Sequence, residues 1–186
     1  KAAIDAGFQS VMIDASQKSF EDNIAITREV VEYAHAKNVE VEAELGKIGA
    51  TDKIETDNDE SLYTDPAEAE EFVARTGVDT LAVSIGTAHG VYPVKNPKID
   101  LERLAQIRKR VSIPLVLHGG SGLPPETVQA AITIPGGGVS KINIATDLEQ
   151  AFLGSLGCQR KTNREIWQMD EKALAEAAEA VQRVVE

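Results

Sequence analysis

The sequence predicts an α/β fold with a parallel sheet, and within that class the last five or so βα units of a closed (β/α)8 TIM barrel. Three observations predict it. Apolar runs of four to seven residues alternate along the whole chain with stretches of helical period. The runs are nearly continuous in apolar character, as strands covered on both faces are. The residues that mark their ends, Asp14, Glu44, His89, His118 and Asn143, are spaced by 30, 45, 29 and 25 residues, which suits one βα unit each. A closed barrel needs about 250 residues and eight such units, whereas 186 residues supply five. The opening AAIDAGF reads as the end of a helix, so the expectation is a single partial-barrel domain over residues 1–186 whose first three strands lie outside this chain. An open doubly wound sheet of five strands is the rival arrangement.

Each element has its own local reason. SVMIDAS (10–16) is the first strand. The next helix opens at Ser19 with Asp22 three residues on, and its period turns Ile24, Val31 and Ala34 to one side as far as Asn38. VEVEAELG (39–46) reads as a strand, followed by a polar loop of some 20 residues, a length typical of a functional loop. Asp65 as N-cap, Pro66 at the first helical position, Glu68 and a terminating Gly77 frame the second helix. Strand DTLAVSIG, a helix from Asp100 through Leu101, Leu104 and Ile107, and strand PLVLHG follow. Pro124 and Pro125 begin another helix, KINIATD (141–147) is the fifth strand, and Asp170 caps a last alanine-rich helix. The GGG at 136–138 breaks a helix before the fifth strand.

Composition narrows the function. The chain is 42% hydrophobic with a formal net charge of −11, which argues against nucleic-acid and anionic-membrane surfaces, since both need a basic face. A phosphate site in such a field must be made locally, from backbone amides and metal. The single cysteine, Cys158, forms no internal disulfide, and no apolar run approaches 18 residues, so a cytoplasmic protein is expected.

Two histidines carry the chemistry. His89 closes LAVSIGTAHG and His118 closes PLVLHGGSG, each followed by glycine, which places two imidazoles at the carboxyl ends of neighbouring parallel strands, about 5 Å apart. Two such rings suit one metal ion, and a catalytic zinc usually takes three protein ligands. Asp14 and Glu44 are the better companions, because carboxylates directly after apolar strand residues are rarely buried unless paired or coordinating. Capping of a following helix or of backbone amides is the other reading of both. His35, in the last turn of an amphipathic helix, reads as a surface imidazole. Gly90, Gly119, Gly120 and Ser121, together with Asn143, Ile144, Ala145 and Thr146, form small-residue turns of the kind that hold phosphate, although glycine also serves any tight strand-to-helix turn.

MIDAS, VEAELG, SIGTAHG, LVLHGGSG and KINIATD, in this order and at these spacings, resemble the class II fructose-bisphosphate aldolases and their tagatose-bisphosphate relatives, from residue 1 to about 152. The resemblance implies a zinc-dependent barrel that reversibly cleaves a ketose bisphosphate, fructose 1,6-bisphosphate in the first instance, into dihydroxyacetone phosphate and glyceraldehyde 3-phosphate. It makes His89 and His118 two of three catalytic zinc ligands, and Asp14 and Glu44 the holders of a second divalent metal. It makes Gly90, Gly119 to Ser121 and Asn143 to Thr146 the segments that hold the sugar phosphate, with sodium or potassium nearby. The full-length parent is then expected to be a homodimer or homotetramer. Two departures stand out. The family's third zinc histidine and its neighbouring aspartate lie on a strand earlier than any in this chain, so the 186 residues by themselves are expected to be poorly active or inactive. In the loop after Glu44, where the family places a proton-exchanging glutamate, this sequence has Asp52, with Glu55 close by. A non-catalytic sugar-phosphate-binding domain is the alternative of a different class.

Overall fold

A computed structural model describes residues 1–50, 60–92 and 97–186. The elements run α1 (Ala2–Asp5), β1 (Ser10–Ile13), α2 (Phe20–His35), β2 (Glu40–Leu45), β3 (Gly49–Ala50), a 3-10 turn at Glu60–Leu62, α3 (Pro66–Thr76), β4 (Thr80–Val83), β5 (Ala88–His89), α4 (Leu101–Arg110), β6 (Leu115–Leu117), α5 (Pro125–Ile132), β7 (Val139–Ile142), α6 (Thr146–Ser155), α7 (Asn163–Trp167) and α8 (Glu171–Val185). The chain folds into two compact units, Lys1–Asn143 and Ile144–Glu186.

The first unit is built on five parallel strands in the order β1-β2-β4-β6-β7. Its helices start where the sequence places them. Ser19 accepts the Asp22 amide, Asp65 accepts those of Ala67 and Glu68, and Asp100 accepts that of Arg103. Gly77 ends α3 in the left-handed region, at φ 69°. α2 stops at His35, short of the expected Asn38, because Asn38 itself takes φ 57°. That conformation is tolerated by asparagine but cannot continue a right-handed helix.

Strand register sorts the sheet into two unlike faces. Val41, Ala43, Leu45, Leu81, Val83, Leu115, Leu117 and Val139 join one core with Ile24 and Val31 of α2, Phe72 of α3, Leu104 and Ile107 of α4 and Ala131 of α5. The alternate residues face the other way: Glu42 and Glu44 of β2, Ala82 of β4 paired with both Glu44 and Val116, and Lys141 opposite Val116. A register shift between Leu115 and Val116 puts Val139 and Lys141, two residues apart, opposite consecutive residues of β6. This bulge brings Lys141 onto the carboxylate face, where regular pairing would have put Ser140. The expectation of strands apolar on both faces therefore holds on the helix side, whereas the opposite side alternates small and charged residues.

β3 and β5 form a separate two-stranded parallel ladder, Gly49 with Ala88 and Ala50 with His89. His89 is thus displaced from its expected place: β4 ends at Val83, and the histidine stands six residues on, in β5. His118, by contrast, directly follows β6.

In the second unit α6 and α8 pack together, with Leu153 and Ala177 buried. Asp170 caps α8 as expected, and Thr162 with Glu165 forms a capping box on α7. No helix among the described residues is long and apolar enough to cross a membrane.

Candidate active site

The polar face of the sheet converges on His118, which is 3% exposed. Its Nε2 lies 3.0 Å from Glu42 Oε1 and its Nδ1 lies 2.9 Å from Glu44 Oε2. The two glutamates are alternate residues of β2, so strand periodicity alone aims both at the ring. Lys141 Nζ donates to the other oxygen of Glu42 at 2.7 Å, and Ser16 Oγ donates to Glu44 Oε1 at 3.3 Å. The backbone behind Glu44 is held as well: Asn23 of α2, itself buried, donates Nδ2 to the Glu44 carbonyl at 3.0 Å and accepts from Thr27 Oγ1 at 3.1 Å.

Two carboxylates around one buried imidazole fix its charge. Burial pulls the His118 pKa down, but the hydrogen bonds and charges of Glu42 and Glu44 more than offset it and push the pKa up to about 9. Burial likewise pushes Glu42 up, and His118 and Lys141 override it, so Glu42 is held below the usual carboxylate range.

His89 is exposed, and its ring centroid stands 5.9 Å from that of His118, at 33° between planes. The two expected histidines are therefore neighbours. Tyr92 ties their turns together: its hydroxyl accepts the Ala88 amide at 2.8 Å and donates to the Gly119 carbonyl at 2.8 Å. Gly119 takes φ 69°, and a Cβ there would lie 2.4 Å from the Ala88 carbonyl oxygen, so only glycine fits between the two histidine turns. Gly120 donates its amide to Asn143 O at 3.0 Å, and Asn143 donates to Leu117 O at 2.9 Å. The second glycine of HGG is thus committed to joining β6 to the end of β7. Gly90 also has positive φ, 104°, and Ser121 is buried.

Asp14 stands apart from this cluster. It is exposed, and its Oδ1 accepts the Ser16 amide at 2.9 Å, the backbone-capping reading left open above. Ser16, whose amide Asp14 accepts, donates its hydroxyl to Glu44. Ile144, Ala145 and Thr146 open the second unit, at the start of α6. Asp52 and Glu55 lie outside the described residues. His35 is a surface residue, its Nε2 2.9 Å from Asp79 Oδ2.

Glu42, Lys141, Ser16 and Tyr92 were not singled out in the sequence. Glu42 carried a signal, since the alternation in VEVEAELG puts it on the face of Glu44. Lys141 carried none, because its face depends on the bulge.

Among the described residues no group of three or more His, Cys, Asp or Glu side chains forms a ready ligand set for a metal ion. The donor chemistry nonetheless suits one. A histidine that ligates a metal through one nitrogen gives its other N–H to a carboxylate, and Glu42 would occupy that outer position if His118 were a ligand. Nδ1 of His118, Glu44 and the nearby His89 would then supply nitrogen and oxygen donors of types acceptable to zinc.

The family model described as Fructose-bisphosphate aldolase class-II matches residues 1–186. Among solved structures, the YdjI aldolase from Escherichia coli K12 is 39% identical with a TM-score of 0.76, and covers 97% of this chain and 60% of its own. A fructose-bisphosphate aldolase from Campylobacter jejuni is 27% identical with a TM-score of 0.70, over 98% of this chain and 61% of its own. The chain therefore spans about three fifths of the length of these structures. With the match running from its first residue to its last, the chain belongs to the class II fructose-bisphosphate aldolase family.

Proposed function

We propose that the protein is a metal-dependent aldolase that reversibly cleaves fructose 1,6-bisphosphate into dihydroxyacetone phosphate and glyceraldehyde 3-phosphate. The observation that carries this reading is the buried His118 beside His89, with Glu42 and Glu44 on its two ring nitrogens, in a chain of this family. His118, His89 and Glu44 would hold the metal, zinc in the first instance, and Asp14 with Glu44 a second divalent ion. When bound, the metal supplies Lewis-acid polarisation of the ketose oxygen at carbon–carbon cleavage.

The chain's own residues do the rest. Glu42, clamped by Lys141, accepts the Nε2–H hydrogen bond of His118 and so leaves the Nδ1 lone pair to face the metal. Gly90, Gly119 and Ser121 bind and orient the phosphate of the substrate from their turns, and Gly120 with Asn143 holds that turn in shape. For Ile144, Ala145 and Thr146 the support is the resemblance alone, as it is for Asp52 as the proton-exchanging residue and for a sodium or potassium ion. Helices on one face of the sheet and small or charged residues on the other support a partial (β/α)8 barrel with the polar face inward, in one domain over 1–186. A cytoplasmic location and a homodimer or homotetramer complete the reading, on composition and resemblance respectively.

The test is cleavage of fructose 1,6-bisphosphate by the full-length parent and by this chain alone, with tagatose 1,6-bisphosphate alongside, with and without EDTA and added zinc. Chelator-sensitive cleavage restored by zinc is the expected result in the parent, with little or none in this chain alone. Cleavage indifferent to EDTA at zero bound metal overturns it, and preference for the tagatose ester reassigns the substrate.

A further inference from the structure

We propose that Tyr92 is a positioning residue that sets the separation of His89 and His118. This inference rests on the reading of those two histidines as metal ligands. The Tyr92 hydroxyl is engaged in both directions, accepting from the Ala88 amide and donating to the Gly119 carbonyl, each at 2.8 Å. Ala88 directly precedes His89 and Gly119 directly follows His118. One hydroxyl therefore joins the two turns at a distance of one residue from each imidazole.

The two histidines need such a tie for different reasons. His118 is buried and clamped by two glutamates, so its ring is placed by its own contacts. His89 is exposed, so the position of its ring follows from its backbone, and β5 is a ladder of only two residues. The backbones of the two turns already meet at Gly119, where a Cβ would strike the Ala88 carbonyl. That contact limits how near the turns come. The Tyr92 bonds limit how far apart they drift. Burial raises the Tyr92 pKa, which keeps the hydroxyl protonated and able to donate.

Tyr92→Phe keeps the ring and deletes both bonds. Zn2+ is titrated into the wild-type chain, Tyr92→Phe and His118→Ala against a chromophoric chelator, well below each melting temperature, and the visible spectrum of the Co2+ form is recorded. Tyr92→Phe is expected to bind Zn2+ about tenfold more weakly, at the low end of what loss of a supporting residue costs a metal site, with an altered Co2+ spectrum, while His118→Ala loses binding outright. Phe72→Leu, which loosens the core elsewhere, is expected to melt earlier with wild-type Zn2+ affinity. Tyr92→Phe binding within twofold of wild type, with His118→Ala abolished, overturns the role of Tyr92 and leaves the metal site standing. Zn2+ affinity lost equally in Phe72→Leu reduces Tyr92 to a general stabiliser. No Zn2+ uptake by the wild-type chain overturns both the metal site and the positioning role.

Discussion

Glu42 Oε1 lies 3.0 Å from His118 Nε2, between buried side chains 76 residues apart. The pair is made by topology: β2 and β6 both flank β4, and register puts alternate residues of β2 on the face from which His118 emerges. Removing Glu42 leaves a buried ring nitrogen and the Lys141 ammonium without their acceptor. Glu42→Ala is therefore expected to cost about 3–5 kcal/mol of stability, the range for breaking one partner of a buried pair. Glu42→Gln keeps the shape and an acceptor oxygen, and is expected to retain most of that stability while binding zinc roughly 10–100-fold more weakly. Urea titration and zinc competition on the two variants check this. Equal zinc affinity in wild type and Glu42→Gln would remove Glu42 from the site.

The same cluster sets a pH dependence for the metal-free chain. His118 has its pKa pushed up to about 9, above an unfolded value near 6.5. Its contribution is fully present below pH 6.5 and is lost as pH rises through about 9. Glu42, held low by His118 and Lys141, acts oppositely: its contribution is present above the ordinary carboxylate pKa and is lost as pH falls through the depressed one. The groups facing His118 are Glu42 and Glu44 from β2, Lys141 from β7 through Glu42, and His89. In EDTA, the melting temperature should fall between pH 7 and 9.5 and zinc affinity should rise, since binding displaces the His118 proton. Melts that are flat over that interval would contradict a charged His118.

Gly119 tests the packing of the two turns. Its φ of 69° disfavours any L side chain, and a Cβ would sit 2.4 Å from backbone oxygen, which has no flexible end to move aside. Gly119→Ala should destabilise the chain by about 1–3 kcal/mol and separate the histidines, reducing zinc affinity. Gly137, with φ 92° but nothing within 4 Å of a Cβ, is the control: alanine there carries backbone strain alone and leaves zinc affinity unchanged.

How far the sequence revealed all this follows from the range of each cause. Caps at Ser19, Asp65, Asp100 and Asp170 act within three residues, and every one of them is where the sequence puts it. The proximity of His89 and His118 was legible because both end strand-turn units and neighbouring strands are close together. The place of His89 in β5 was not, since its partner Ala50 is 39 residues away and two residues show no periodicity. Lys141 reaches Glu42 only because a bulge shifts its face, and a bulge has no mark in VSKI beyond its neighbouring glycines. Tyr92 reads in the sequence as one more loop aromatic, and its role exists only once Ala88 and Gly119 meet.

The two histidines should separate metal binding from stability. His118 is buried between two carboxylates, so His118→Ala strips Glu42 and Glu44 of their shared partner in a protected site. A loss of about 3–5 kcal/mol is expected, along with loss of zinc. His89 is exposed, and an exposed substitution away from such features usually changes stability by no more than about 0.5 kcal/mol. His89→Ala should therefore fold like the wild type and still lose most of its zinc affinity, because only its contribution to the metal is gone. Urea midpoints and zinc content measured on the same preparations give both quantities. If His89→Ala bound zinc as the wild type does, the metal would have to be held by His118 and the carboxylates alone, and the turn carrying His89 would be scaffolding rather than site.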